Sequence, residues 1–337
     1  KLIKPLNAPV GLYDEFCARF PYVETEDQLH GIDDCMTDLS EDVPMDRLIC
    51  GDVGFGKTEV ALRAAFVAAS SGKQVAIVTP TTLLCRQHYE TFSERFNGFS
   101  VSIAQLSRLI GVKKATSVRK GLTDGKIDIV VGTHALLSKS VVFKNLGLLV
   151  IDEEQHFGVA QKERLKAIKS DVHVLTLTAT PIPRTLQLAL SGVRQMSVIA
   201  TPPIDRLAIR SFILPYDRVV IREAILREHF RGGQIFYICP RIKDLEPVAA
   251  ELRDIVPEIK ILIAHGKMAA RQLDSTMTAF YDGKFDLLLS TSIIESGLDI
   301  PSVNTLIVHR ADRFGLSQLY QLRGRVGRAK IRAYAYF

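Results

Sequence analysis

The chain has 337 residues, 47% of them apolar and 24% charged, with a net charge of +6. Such a length asks for two or three domains and supplies their cores, whereas no run of about 18 uncharged apolar residues offers a membrane span. Five scattered cysteines (Cys17, Cys35, Cys50, Cys85, Cys239) form no Cys-x-x-Cys pair, and no His-Glu-x-x-His occurs, so neither a disulfide framework nor a zinc site is supported.

The opening Lys1-Leu2-Ile3-Lys4-Pro5 has no apolar leader core, so a cytoplasmic protein is expected. Residues 1–20 read as an N-terminal arm, because Asn7-Ala8-Pro9 and Gly11 interrupt any single helix. The missing initiator Met and the stop inside the strand-like Arg332–Phe337 lead us to expect a piece of a longer protein.

The first predicted strand, Arg47–Cys50, runs into Gly51-Asp52-Val53-Gly54-Phe55-Gly56-Lys57-Thr58, a complete G-x-x-x-x-G-K-[ST], followed by the helix-like Glu59–Ala69. Glycines let successive backbone N–H groups close around phosphate oxygens, and the following helix turns its positive end toward the same anion. In this pattern Lys57 reaches the β- and γ-phosphates of ATP and Thr58 ligates Mg²⁺. Apolar runs at Gln74–Thr79 and Ile127–Val131 precede a third, Leu148–Ile151, which ends in Asp152 and Glu153. Asp152 is placed to hold Mg²⁺ and Glu153 to orient or deprotonate the attacking water. Val174–Thr178 closes the first series, and the paired prolines of Ile199-Ala200-Thr201-Pro202-Pro203 mark a boundary.

A second series follows: Ile209–Leu214, Gln234–Ile238, Lys260–Ala264, Leu287–Ser290, Thr305–His309 and Arg332–Phe337. Runs apolar on both faces, alternating with amphipathic stretches, predict an α/β fold with mainly parallel sheets. Between the last two runs, Gln321-Leu322-Arg323-Gly324-Arg325-Val326-Gly327-Arg328 spaces Arg325 and Arg328 three apart, on one side of a helix if the segment is helical. Guanidinium groups offered from a second lobe can neutralise charge spreading over the γ-phosphoryl oxygens. The basic balance suits a polyanionic partner.

The phosphate loop, the acid pair and the arginine segment, in this order, resemble superfamily 2 helicases and translocases, and the likeness fills nearly the whole chain from Phe20 onward. It implies two tandem recA-like (P-loop) lobes, roughly 21–203 and 204–337, with ATP and Mg²⁺ between them. Thr25 and Gln28 look like the adenine-reading element. Pro80, Thr81, Thr133 and His134 resemble loops that touch nucleic-acid phosphates, joined in the second lobe by His265 and Thr291. Thr178, Thr180 and Gln321 resemble coupling positions, and Gly297 and Asp299 a nucleotide-facing loop.

Within the superfamily, Gly51–Phe66, Val78–Tyr89, Thr176–Arg184, Arg222–Gln234 and Ala311–Arg328 are most similar to bacterial transcription-repair coupling factors. That resemblance implies a motor on double-stranded DNA, gripping the phosphate backbone without sequence preference. It also implies a nucleoid-associated bacterial setting, no membrane, and RNA polymerase and excision-repair proteins as partners through modules outside this chain. Phe55 and the Arg222–Glu228 run favour these factors over branch-migration helicases of the RecG type. Where the family carries His and then Arg after its acids, this chain has Gln155 and His156. The family's translocation element would follow Phe337. An RNA helicase or strand-separating DNA helicase is the rival enzyme. A scaffold that binds ATP without turnover is the rival of another class, and it would need neither Glu153 nor the arginines.

Overall fold

Strands form where β-branched and aliphatic residues run together, and helices where apolar residues recur on one face. The computed structural model describes residues 3–108, 110–154, 157–158, 161, 164, 171–179, 194–202, 208–291, 299–327 and 331–337. The chain divides into two units, Lys1–Ile204 and Asp205–Phe337.

The first unit holds strands β1 (Asp46–Gly51), β2 (Gln74–Val78), β3 (Ile103–Leu106), β4 (Ile129–Gly132), β5 (Leu146–Asp152), β6 (His173–Thr178) and β7 (Gln195–Ile199). They lie in the order β3-β4-β2-β5-β6-β1-β7, every neighbouring pair parallel. Residues of β2, β4 and β6 are buried throughout, as strands covered on both faces must be. The edge strands β3 and β7, which the apolar runs did not announce, are only partly covered and alternate with polar residues such as Gln105 and Ser197. Helices α1 (Leu12–Ala18), α2 (Glu26–Ser40), α3 (Lys57–Ser70), α4 (Thr82–Arg95) and α5 (Val112–Asp124) pack around this sheet. The segment expected as an arm carries α1, whose Phe16 is fully buried, stacks on Phe66 at 4.4 Å and lies under the Arg95 guanidinium. A stacked pair of this kind adds about 1 kcal/mol beyond area burial.

The second unit holds β8 (Arg210–Phe212), β9 (Gln234–Ile238), β10 (Ile261–Ala264), β11 (Leu287–Ser290), β12 (Val303–Val308) and β13 (Tyr334–Tyr336). Their order is β10-β11-β9-β12-β13-β8, again all parallel. Its helices are α6 (Arg218–Phe230), α7 (Leu245–Ile255), α8 (Ala270–Tyr281) and α9 (Leu316–Arg323). Two parallel-sheet α/β units in tandem are the fold that the alternating pattern predicts.

The units repeat one building device. Asp124–Thr133 (DGKIDIVVGT) and Asp282–Thr291 (DGKFDLLLST) enter β4 and β11 in the same way. Gly125 (φ 72°) and Gly283 (φ 73°) turn through the left-handed region, where a β-carbon is disfavoured. Asp128 accepts the Ser102 N–H and Asp286 the Lys260 N–H, each at 2.7 Å. At the start of β2, Gln74 Nε2 donates to the Leu122 and Ile127 carbonyls, and at the start of β9 Gln234 Nε2 donates to those of Phe280 and Phe285.

Candidate active site

Because the seven strands of the first sheet are parallel, their carboxyl ends share one edge, where open α/β sheets receive ligands. The register sets Cys50 beside Thr178 and Leu177 beside Asp152, so three adjacent strands, β1, β6 and β5, deliver the phosphate loop, Thr178 and the acid pair to one place.

The phosphate loop turns through Gly54 (φ 84°) and Gly56 (φ 81°), with the Phe55 N–H donating to the Asp52 carbonyl at 3.2 Å. A β-carbon at Gly56 would run into the Gln28 amide, so glycine is required there for space as well as for φ. Gln28 is 2% exposed, and both ends of its amide are engaged. Its Oε1 accepts the Thr25 N–H (2.9 Å), closing a capping box at the start of α2, and its Nε2 donates to the Phe55 carbonyl (2.8 Å). Gln28, expected to read adenine, thus clamps the loop. Lys57 Nζ folds over the loop, donating to the Gly51 (2.5 Å) and Asp52 (3.1 Å) carbonyls, and Val53 and Thr58 are half-buried.

Asp152 and Glu153 are 8% and 4% exposed. Asp152 Oδ2 lies 2.7 Å from His88 Nε2, a side chain of α4 that sequence reasoning missed. Glu153 sits at φ 51°, a left-handed conformation costing a residue with a β-carbon about 1–2 kcal/mol. What holds it there is visible: its N–H donates to the Leu177 carbonyl (2.9 Å), and its carboxylate accepts the Ala179 N–H (3.3 Å) and the Thr178 hydroxyl (3.4 Å). The strain aims the carboxylate at the end of β6.

These groups suit a magnesium nucleotide. Thr58 and Asp152 are hard oxygen donors, and Mg²⁺ takes one or two protein oxygens, with phosphates and water completing its shell. Among the described residues, no three His, Cys, Asp or Glu side chains are grouped so that they could hold a metal ion.

Farther along the same edge, Pro80 and Thr81 follow β2, and Thr133 and His134 follow β4. The Thr81 hydroxyl caps α4 by accepting the Leu84 N–H (3.2 Å). Thr133 is buried and its hydroxyl has no partner among the described residues, while His134 is exposed. In the second unit, His265 follows β10 and Thr291 follows β11, both half-buried, as is Asp299. Gln321 is exposed on α9. That helix ends at Arg323, with Gly324 as its C-cap and Gly327 at φ 75°, so the buried Arg325 lies beyond it and not on a helical face. Thr180, Gly297 and Arg328, like Gln155 and His156, fall outside the described residues.

A DEAD/DEAH box helicase family model matches residues 25–189, and the helicase conserved C-terminal domain matches 218–330. Transcription-repair-coupling factors of Rickettsia prowazekii, Bacillus subtilis and Escherichia coli are 58%, 56% and 52% identical over 98%, 96% and 96% of the chain. The chain spans 30%, 27% and 28% of those relatives. A structure of RecG bound to a three-way DNA junction superposes with TM-score 0.85 at 36% identity, covering 98% of this chain and 45% of that one. Mycobacterium smegmatis helicase Lhr, at TM-score 0.62 and 18% identity over 97% of this chain and 47% of its own, shares the tandem recA-like fold. Among the described residues no helix is long and apolar enough to cross a membrane.

Proposed function

As the chain belongs to the tandem-lobe helicases, in the family of the transcription-repair-coupling factors, we propose that it is an ATP-driven motor moving on double-stranded DNA in the bacterial cytoplasm. The observation that carries this reading is the meeting of phosphate loop, acid pair and Thr178 on three adjacent strand ends. In it, the glycine loop and Lys57 hold the phosphates, and Thr58 and Asp152 hold Mg²⁺. When bound, Mg²⁺ would supply positive charge to neutralise the phosphate oxygens. Glu153, held by Thr178 and Ala179, orients the attacking water and takes its proton. Arg325 and Arg328 supply positive charge from the second lobe, so that turnover requires the lobes to close.

DNA lies across Pro80, Thr81, Thr133, His134, His265 and Thr291. Most contacts fall on phosphates, with little sequence preference and a steep salt dependence. In the whole protein, by analogy with its relatives, such a motor displaces stalled RNA polymerase and brings in excision-repair proteins. The 52–58% identity to coupling factors, against 36% to RecG, favours this over branch migration.

The test compares ATPase stimulation by duplex DNA, single-stranded DNA, a three-way junction and RNA at fixed salt, together with triplex displacement. Duplex DNA should stimulate most. A strong RNA or junction preference would overturn the substrate assignment, and absence of ATP turnover on every nucleic acid would favour the scaffold.

A further inference from the structure

The contact between His88 and Asp152 has no role in the reading above, yet it is a short, largely buried polar contact within the site. Nε2 and Oδ2 are 2.7 Å apart, and the two side chains are 10% and 11% exposed. The imidazole also meets the buried Phe92 edge to face, one turn further along α4, at 6.4 Å between ring centres. Since α4 is anchored at its start by the Thr81 cap, the ring is fixed at both its polar and its apolar side. A carboxylate can only accept, so Nε2 carries the hydrogen and donates.

We propose that His88 is a positioning residue for the cation, resting on the ATP·Mg²⁺ reading of this site. By occupying Oδ2 it fixes the rotation of the Asp152 carboxyl and leaves Oδ1 for Mg²⁺ or one of its waters. Mg²⁺ demands near-ideal octahedral geometry, so a carboxylate free to rotate would hold it less well. Partners of metal-binding carboxylates typically contribute 10–100-fold in metal affinity. The same helix begins at the loop assigned to nucleic-acid phosphates, so one rigid element joins that loop to the ligand of the cation.

The experiment measures Mn²⁺ binding to the ADP complex of the full chain by electron paramagnetic resonance, alongside ADP affinity in EDTA. His88→Ala should weaken Mn²⁺ roughly 10–100-fold and leave metal-free ADP affinity unchanged. His88→Gln, whose amide nitrogen reaches the place of Nε2, should stay within a few-fold of wild type. His88→Asn, with the same donor at the wrong reach, should behave as alanine does. Should His88→Ala not fold, the Gln and Asn pair carries the test alone. Wild-type Mn²⁺ affinity in His88→Ala, or equal affinity in the Gln and Asn variants, would overturn the proposal. If the wild-type chain itself binds no Mn²⁺·ADP, the nucleotide reading fails, and the positioning role with it.

Discussion

The two lobes share a scaffold and differ in what they hang on it. Ile151 pairs with Val78 at the end of β2 in the first lobe, and Val308 pairs with Ile238 at the end of β9 in the second. One residue on, Asp152 answers to His309; two residues on, Glu153 answers to Arg310. Both second positions are left-handed, at φ 51° and 55°, and they are the only two non-glycine residues with positive φ among the described residues. Yet Glu153 is buried against Thr178 and Ala179, while Arg310 stands in the open paired with Asp312 at 3.0 Å. The counterpart of β1 is β8, an exposed edge strand followed by Ile213-Leu214-Pro215 in place of a glycine loop. The scaffold therefore supplies the positions, and acid at one strand end against base at the other divides the labour. On our reading the first lobe grips the nucleotide and the second provides the charge that triggers its hydrolysis.

The sharpest way to break this division is to remove one member from each side. Lys57→Ala should abolish nucleotide-dependent turnover and weaken nucleotide binding as well. Arg328→Ala should lower kcat by about 10³-fold, the lower end for a finger arginine, with nucleotide affinity nearly unchanged. Steady-state ATPase and equilibrium nucleotide titration separate the two. Wild-type turnover in Arg328→Ala would remove the second lobe from the chemistry.

Much of this is legible in the sequence. A glycine loop between a strand and a helix, and acids ending an apolar run, fix their own surroundings through local sequence. What escaped depends on which strands become neighbours. His88 and Asp152 are 64 residues apart and meet because β2 and β5 pair; inside α4 a histidine reads as an ordinary polar residue. The strands β3 and β7 escaped because edges are half wet and lack the continuous apolar run. The Gln321–Arg328 segment suggested a helical face, but the helix stops at Arg323 with Gly324 as its C-cap, before Arg325. The repeat of Asp124–Thr133 in Asp282–Thr291 is readable from sequence alone, in five identities over ten residues, once two equivalent lobes are looked for.

That repeat invites a milder test. Gln74 and Gln234 each donate to two carbonyls, and each accepts through Oε1, from the Asn145 N–H (2.9 Å) and the Ser302 hydroxyl (2.5 Å). Gln74→Ala and Gln234→Ala should each cost about 2–4 kcal/mol, because buried partners are left unsatisfied. Urea unfolding checks it. Matching losses would confirm that the device has equal weight in both lobes, and a costless change in either would confine it to the other.

Acid should separate the lobes more gently. His173 opens β6, is 1% exposed, and uses Nδ1 to accept the Met45 N–H at 3.2 Å. Burial pushes its pKa from 6.5 down to about 4. The unfolded chain therefore binds a proton that the folded chain refuses between those two values. Stability contributed by the neutral ring is complete above pH 6.5, falls as pH drops toward 4, and changes no further below it. A gap of this size corresponds to about 3 kcal/mol at the acid end. The second lobe has a tyrosine, Tyr334, at the matching strand position, and its own lowered histidine, His309, is only half-buried. His173→Asn keeps an acceptor near Nδ1 without a titrating group, so it should flatten the stability profile over this window, and His309→Asn should flatten it less. Equal flattening would mean that acid sensitivity belongs to the shared scaffold and not to the particular residue each lobe has placed at the start of that strand.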